Sequence, residues 1–203
     1  MKPYQIIKEL DPADLVILFD LLENTQFKIN HHREKNAGIG YTMPMALVMK
    51  RPMTPEQKLE VVEAVANHKY EELYEEIKRV AELYDIPFST IQVNKNYQTL
   101  PHFDCANWED QPSYLFSLGD YQGGELNIED AQGEIHKVDA NCSLVQFNGS
   151  KSRHWNDTHF GGNKYSLVFY YNKLVVKHID KDDELYPECP TVIEKLKKFF
   201  RDH

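Results

Sequence analysis

Two histidines and one aspartate constrain this chain more than any other feature. His102 and Asp104 are separated by one residue, and His154 follows about fifty residues later. Two imidazoles and one carboxylate can occupy one face of an iron octahedron and leave three positions open for small molecules. Residues i and i+2 of an extended strand point to the same side, so we expect His102 and Asp104 to reach one metal ion from one strand.

A second polar pair follows the third ligand. Lys164 lies ten residues beyond His154, and Ser166 belongs to the apolar run 165–170. A cation and a hydroxyl two positions apart on a strand share one face. Such a pair is suited to bind the distal carboxylate of a dicarboxylic acid that is chelated to the iron.

Three segments of the chain carry a family resemblance. They read His102-Phe103-Asp104-Cys105-Ala106-Asn107, then Ser113-Tyr114-Leu115-Phe116-Ser117-Leu118-Gly119-Asp120-Tyr121-Gln122-Gly123-Gly124-Glu125-Leu126, then Lys164-Tyr165-Ser166-Leu167-Val168-Phe169-Tyr170. Over about residues 88–175 the chain resembles the iron- and 2-oxoglutarate-dependent dioxygenases. Within them it is most similar to the ten-eleven-translocation and J-binding-protein oxygenases, which hydroxylate the 5-methyl group of pyrimidines in DNA.

The resemblance implies a cofactor set and a substrate. Fe(II), 2-oxoglutarate and O2 are expected, with ascorbate supporting turnover. Ser166 matches a cosubstrate-binding serine. Asn107 matches an asparagine that hydrogen-bonds the target base, and Tyr170 matches an aromatic residue beside that base. DNA that contains 5-methylcytosine or thymine is therefore the expected partner, and the sequence indicates no protein partner.

One position departs from that subfamily. Lys164 stands where arginine is more common, and lysine offers a point charge in place of a planar two-donor fork. Other branches, including the collagen-type prolyl hydroxylases, use lysine here. A hydroxylase of an amino acid or a protein side chain therefore remains an alternative, and a non-catalytic jelly-roll binding module is a third.

Two asparagines upstream of the iron ligands are further candidates. Asn94 and Asn96 lie on a predicted strand that would line the cosubstrate pocket, where their amides could reach an oxoglutarate oxygen. Asparagines that form turns explain the same residues equally well.

The order of patterns along the chain is helices first and strands second. Asp11-Pro12 begins a helix, and Thr54-Pro55-Glu56-Gln57 opens a helical stretch that runs toward Tyr84. Asn67-His68-Lys69 interrupts the apolar rhythm of this stretch, which predicts two helices with a break at 67–69. A strand is expected between them at 41–49. Further short strands are expected at 91–94, 113–118, 125–128, 143–147 and 166–171, with a closing helix at 190–201.

This order predicts an α+β fold with a double-stranded β-helix, or jelly-roll, core packed against N-terminal helices. The expected single domain, 1–203, has a helical part at about 1–87, the jelly-roll at about 88–175 and the C-terminal helix. The strand pattern alone would also fit a β-sandwich.

Length and composition indicate the number of domains and the cellular location of the protein. The 203 residues suffice for one core, the three cysteines suggest no disulfide framework, and neither a signal peptide nor a membrane-spanning run is found. We therefore expect a soluble, intracellular protein of the cytoplasm or the nucleus.

The net charge of -9 argues against extended contact with a nucleic acid backbone. Local basic segments at 31–35, 50–51 and 151–153 could still contact a phosphate.

Overall fold

The structure is a computed structural model that describes residues 2–28, 38–50, 52, 54 and 58–181. In this part of the chain, helices and strands follow one another in the order β1 (Tyr4–Glu9), α1 (Pro12–Asn24), β2 (Gly38–Lys50), β3 (Glu60–Glu63), α2 (Val65–Lys69), α3 (Glu71–Leu83), β4 (Thr90–Thr99), β5 (Ser113–Leu118), β6 (Tyr121–Gly123), β7 (Leu126–Glu129), β8 (Ile135–Val138), β9 (Ser143–Phe147), β10 (His154–Asn156), β11 (His159–Gly161), β12 (Tyr165–Tyr170) and α4 (Lys173–Lys181).

The strands form one large and one small antiparallel sheet. The large sheet has the order β1-β9-β5-β12-β4-β2-β3, and the small sheet has the order β10-β7-β8. A two-stranded ribbon, β11-β6, lies apart from both sheets. Apolar side chains of the small sheet pack with Val145 and Phe147 of β9 in one cluster, so the two sheets face each other. The predicted jelly-roll core is confirmed.

Strand β12 shows how the large sheet separates two environments. Tyr165, Leu167 and Phe169 are fully buried and belong to the main core. Ser166 and Tyr170 alternate with them, are half-buried and face the opposite side of the sheet. Because side chains alternate along a strand, one face of β12 holds the helices and the other lines a cavity.

The helices cover the outer face of the large sheet. Asp11 caps α1 by accepting a hydrogen bond from the backbone N–H of Ala13, and Pro12 opens the first turn as predicted. Apolar residues of α1 and α3 pack against the buried face of β12 in the main core: Leu15, Leu18, Leu22, Leu73, Ile77 and Val80. This layer positions β12 and β4, which form one wall of the site.

The N-terminal part is less helical than the sequence pattern suggested. β1 pairs with β9 at one edge of the large sheet, and β3 pairs with β2 at the other. The predicted helix from Thr54 is therefore wrong at Glu60–Glu63, where the β-branched Val61 and Val62 lie opposite β2. Pairing with an available strand outweighs a local capping signal. The break between two helices lies at Tyr70, so its predicted place at 67–69 is wrong, because these residues form the end of α2.

Several predictions fall outside the described residues. These are the closing helix at 190–201, the basic segment at 31–35, and positions 51 and 55–57. Among the helices that the structure describes, no helix has the length and apolar character needed to cross a lipid bilayer.

Candidate active site

A backbone bridge brings the two predicted histidine ligands together. The N–H of His102 donates to the carbonyl of His154 over 3.1 Å, and the N–H of His154 donates back to the carbonyl of His102 over 3.0 Å. The two imidazole rings consequently lie with their centroids 4.4 Å apart. The site thus depends on the pairing of two segments about fifty residues apart.

Both histidines are held in the tautomer that binds a metal through Nε2. The Nδ1 atom of His102 lies 2.7 Å from the carbonyl oxygen of Leu100, and that of His154 lies 3.0 Å from the carbonyl oxygen of Ser152. A carbonyl oxygen only accepts, so each Nδ1 must carry the proton. Each Nε2 then keeps a lone pair for a metal ion.

Asp104 reaches the histidines from a turn and not from a strand. β4 ends at Thr99, and His102 takes part only in the single bridge to His154. The prediction that His102 and Asp104 lie on one face of a single strand is therefore wrong. The two side chains nevertheless lie close together, with His102 Nε2 3.6 Å from Asp104 Oδ1. A hydrogen bond of 2.8 Å from the Asp104 N–H to the carbonyl of Gly149 fixes the turn.

Gly149 is a site residue that the sequence analysis missed. A Cβ atom at this position would lie 2.5 Å from Asp104 Oδ2 and 3.4 Å from His154 Cε1. Only glycine leaves this space to the carboxylate. The Asn148-Gly149 pair is a turn signal in the sequence, but nothing local in it indicates contact with a residue forty-five positions upstream.

The donor set fits an iron(II) ion. Nε2 of His102 lies 3.6 Å from Asp104 Oδ1, and Nε2 of His154 lies 3.5 Å from Asp104 Oδ2. Ligand atoms that are adjacent on an octahedral metal are about 3 Å apart, so a small closure would bring all three into range. Burial is the largest cause that lowers the pKa of His154, and the nearby His102 adds to it, while Asp104 opposes them. This shift favours the neutral imidazole that binds metal.

The three ligands open into a cavity of about 250 Å³ between the two sheets. Alternate residues of β12 and the lysine before it line this cavity: Lys164, Ser166, Val168 and Tyr170. At about 3.3 Å per residue, the cavity therefore follows β12 for roughly 20 Å. The lysine and serine mark one end, and Tyr170 marks the other.

Lys164 is a buried cation that forms no ion pair with a carboxylate of the described residues. The side chain is 8% exposed, and Nζ donates to the carbonyl oxygen of Gly124. Among the described residues, no carboxylate oxygen lies within ion-pair distance of Nζ. Burial lowers the pKa of Lys164 to about 8, and three acidic residues oppose that shift, Asp139, Glu125 and Asp157. A buried, unpaired ammonium group is a natural binding site for an anion.

Asn94 and Ser166 line the same cavity as this lysine. They face each other across β4 and β12, and Asn94 Nδ2 lies 3.3 Å from Ser166 Oγ. The Oδ1 atom of Asn94 is buried and has no hydrogen-bond partner within the described part of the chain. Rotating the amide lets Oδ1 accept from Ser166 and turns an N–H toward the cavity. In that orientation the Ser166 O–H is engaged by Asn94 Oδ1, and the amide N–H is the donor that the pair offers to a carboxylate.

Asn96 does not line the cavity, so its predicted contact with the cosubstrate is not supported. It has a positive φ of 50°, and its side chain points to the loop before β12. There Oδ1 accepts from the backbone N–H of Lys164 over 2.8 Å, and Nδ2 donates to Asn163 over 2.8 Å. The irregular backbone at Asn96 breaks the alternation on which the prediction depended. Through this hydrogen bond, Asn96 holds the backbone of Lys164 in place.

Asn107 and Tyr170 both line the cavity, toward the end away from Lys164. Tyr170 is half-buried at the end of β12. Asn107 is 7% exposed, and its Nδ2 donates both to Asp104 Oδ2 over 3.1 Å and to Ser113 Oγ over 2.9 Å. Only Oδ1 of Asn107 therefore remains to contact a substrate.

A second group of potential metal ligands lies in the hairpin between β7 and β8. Asp130, Glu134 and His136 bring ligand atoms within 4.8 Å of one another. The Asp130 carboxylate already accepts hydrogen bonds from the N–H of Gln132, the N–H of Glu134 and the His136 ring, all at 2.9 Å. These bonds explain the cluster as a turn.

The binding of a dicarboxylate at Lys164 should depend on pH. The ammonium form is the one that attracts a carboxylate, and with a pKa of about 8 this form is lost as the pH rises. We expect the dissociation constant of 2-oxoglutarate to be constant well below pH 8 and to rise roughly tenfold per pH unit above it. Anaerobic calorimetry between pH 7 and 9.5 measures this. Arginine stays charged over that range, so Lys164→Arg should give a flat profile; a flat profile in the wild type would contradict the prediction.

Comparisons with known proteins identify the fold. No family model and no curated protein sequence matches the chain. An oxidoreductase of the 2OG-Fe(II) oxygenase family from Burkholderia pseudomallei matches with a TM-score of 0.56 and 14% identity, over 84% of this chain and 85% of that chain. A Trichoplax adhaerens prolyl hydroxylase, in complex with a hypoxia inducible factor peptide, matches with a TM-score of 0.56 and 9% identity, over 85% of each chain.

A structure of NgTET1 in complex with 5mC DNA is also similar, at 16% identity over 65% of this chain and 61% of that chain. Its TM-score of 0.45 is lower than those of the other two, and it carries no argument about the substrate. The chain therefore has the fold of the 2-oxoglutarate- and iron(II)-dependent oxygenases.

Proposed function

We propose that this protein is an Fe(II)- and 2-oxoglutarate-dependent dioxygenase that hydroxylates the 5-methyl group of a pyrimidine in DNA, 5-methylcytosine in particular. The oxygenase part depends on one observation. A single cavity contains the three ligands His102, Asp104 and His154 at one place and the buried Lys164 at another. A metal site next to an anion site is what a chelating dicarboxylate requires.

One group of residues would hold the metal, and another would orient the cosubstrate. When bound, Fe(II) and 2-oxoglutarate together activate dioxygen, and one oxygen atom enters a C–H bond of the substrate while the cosubstrate leaves as succinate and CO2. The ammonium of Lys164, with Asn94 and Ser166, orients the distal carboxylate. The walls of the two sheets keep bulk water away from the reacting atoms.

The space beyond the cosubstrate end supports a flat substrate group. Tyr170 provides an aromatic wall there, and Asn107 Oδ1 provides an acceptor. The amino group of cytosine is a donor at the base edge, whereas thymine has a carbonyl at the same place. A base inside a duplex cannot reach a cavity between two sheets, so the nucleotide must be flipped out.

Cations near the mouth are few and mostly paired. Phe103 lines both the cavity and a neighbouring surface groove that contains Lys2, Lys151 and Arg153. Lys151 lies 3.8 Å from a carboxylate oxygen of Asp110, and Arg153 lies 3.5 Å from one of Glu129. With the net charge of -9, this predicts weak, salt-sensitive DNA binding that is carried by a few residues.

A direct assay tests the substrate. The protein is incubated with Fe(II), ascorbate, 2-oxoglutarate and DNA that contains 5-methylcytosine, and digested DNA is analysed by mass spectrometry alongside succinate formation. We expect 5-hydroxymethylcytosine and stoichiometric succinate, and little product from thymine. Because stacking on an aromatic ring contributes about 1–3 kcal/mol per base, Tyr170→Leu should raise the KM for DNA roughly 5- to 150-fold without changing the dissociation constant of 2-oxoglutarate.

The other outcomes separate the alternatives. Hydroxylation of an amino acid or peptide, with no oxidised base, would overturn the DNA substrate and keep the oxygenase. Lysine at position 164 is compatible with that alternative. Stoichiometric iron binding without measurable binding of 2-oxoglutarate would overturn the oxygenase and favour a binding module.

A further inference from the structure

The amide of Asn107 has both of its N–H groups occupied. Nδ2 lies 3.1 Å from Asp104 Oδ2 and 2.9 Å from Ser113 Oγ, and the side chain is 7% exposed. The orientation of the amide is determined, because an ionised carboxylate can only accept. A charge-assisted hydrogen bond in a partly buried setting such as this one is stronger than a neutral one and is directional.

The backbone around Asp104 reinforces the same arrangement. The N–H of Asp104 donates to the carbonyl of Gly149 over 2.8 Å, and the N–H of Asn107 donates to the carbonyl of Asp104 over 3.1 Å. Gly149 bounds Oδ2 on one side, where there is no room for a Cβ atom. Asn107 thus closes the turn with its backbone and holds the carboxylate with its side chain.

We infer that Asn107 is a positioning residue for the iron site, which fixes the Asp104 carboxylate beside His102 and His154 before any substrate arrives. Without the amide, the carboxylate could rotate about its side-chain bonds, and metal binding would have to order it. This inference goes beyond the base contact that the resemblance implies for Asn107. It depends on the proposed metal site and is independent of the DNA substrate.

Ser113 extends the support by one step. It is 1% exposed on β5, and Oγ accepts one N–H of Asn107 while the other N–H meets Asp104. The hydrogen bond to Ser113 therefore anchors the Asn107 amide to the large sheet. Loss of Ser113 should loosen Asn107 and weaken the metal site less than loss of Asn107 itself.

Fe(II) titration in the absence of oxygen and DNA tests the inference. Asn107→Leu keeps most of the side-chain volume and removes both donors. We expect Fe(II) affinity to fall by roughly 10- to 100-fold, the range found for partners of metal ligands. We also expect a changed charge-transfer absorption of the Fe(II)–2-oxoglutarate complex at full occupancy, which a loss of stability elsewhere would not cause. Ser113→Ala should give a smaller effect in the same direction.

Asn127 supplies a matched control. It is 1% exposed on β7, and its Nδ2 donates over 2.9 Å to a carboxylate oxygen of Asp157, which is not one of the proposed metal ligands. Asn127→Leu should lower the melting temperature as Asn107→Leu does and leave Fe(II) affinity unchanged. Wild-type affinity and absorption in Asn107→Leu, with an increase only in the KM for DNA, would overturn the inference in favour of a base contact.

Two further results complete the test. If Asn107→Leu does not fold, Ser113→Ala decides, and unchanged Fe(II) affinity in that variant overturns the inference. A wild-type protein that binds no Fe(II) would contradict the proposed function itself, whereas weakened binding in the variants alone supports the positioning role.

Discussion

Replacing His102 with alanine is expected to reduce succinate formation to background while the protein stays folded. The His102 ring is one of three protein ligands, and a metal that keeps three positions open has little else to hold it. The loss should exceed the roughly 100-fold that follows removal of a supporting partner of a ligand. Anaerobic titration should show that Fe(II) binding is lost together with turnover.

His136→Ala is the matched control for this variant. His136 is also a half-buried histidine paired with a carboxylate, since its Nε2 lies 2.9 Å from Asp130 Oδ2. It belongs to the hairpin between β7 and β8 and does not line the cavity. Its loss should leave iron stoichiometry and turnover unchanged. Full activity in His102→Ala, or loss of iron in His136→Ala, would mean that the metal lies elsewhere.

Replacing Lys164 with alanine is expected to raise the KM for 2-oxoglutarate strongly, with a smaller effect on kcat. A hydrogen bond to a charged group contributes about 1.5–3 kcal/mol, which is roughly 10- to 150-fold in affinity. Initial rates at varied cosubstrate concentration measure the change. Because the ammonium is buried and meets no carboxylate of the described chain, the bound dicarboxylate is its natural partner.

Two variants distinguish charge from shape at this position. Lys164→Met removes the charge and keeps the chain length, so it should resemble Lys164→Ala. Lys164→Arg keeps the charge but changes length and geometry, and should retain part of the affinity. An unchanged KM in both Lys164→Ala and Lys164→Met would show that the distal carboxylate binds at another place.

The outer-face packing explains why these site variants should fold. The main core lies between α1, α3 and the buried face of β12, on the side of the large sheet opposite the cavity. Ligand substitutions therefore remove polar groups from the cavity wall and leave that apolar core intact. Circular dichroism and thermal melting should be close to those of the wild type for His102→Ala.

The sequence by itself predicted the donor set and, together with the family resemblance, the type of fold. His102, Asp104 and His154, with Lys164 and Ser166, could be recognised because their spacing is short or because each sits next to an apolar strand run. Alternation located β5 and β9 with their bounds, at Ser113–Leu118 and Ser143–Phe147. These properties depend on residue order and on the period of a strand, and both are visible locally.

Only the tertiary structure decided how those residues meet. The bridge between His102 and His154, the space at Gly149 and the engagement of Asn107 with Asp104 join parts of the chain that come together only after folding. The same applies to β1 and β3, whose strand character comes from the edges of the large sheet that they complete. The reason is physical: hydrogen-bond partners and free volume are properties of neighbours in space, which residue order does not specify.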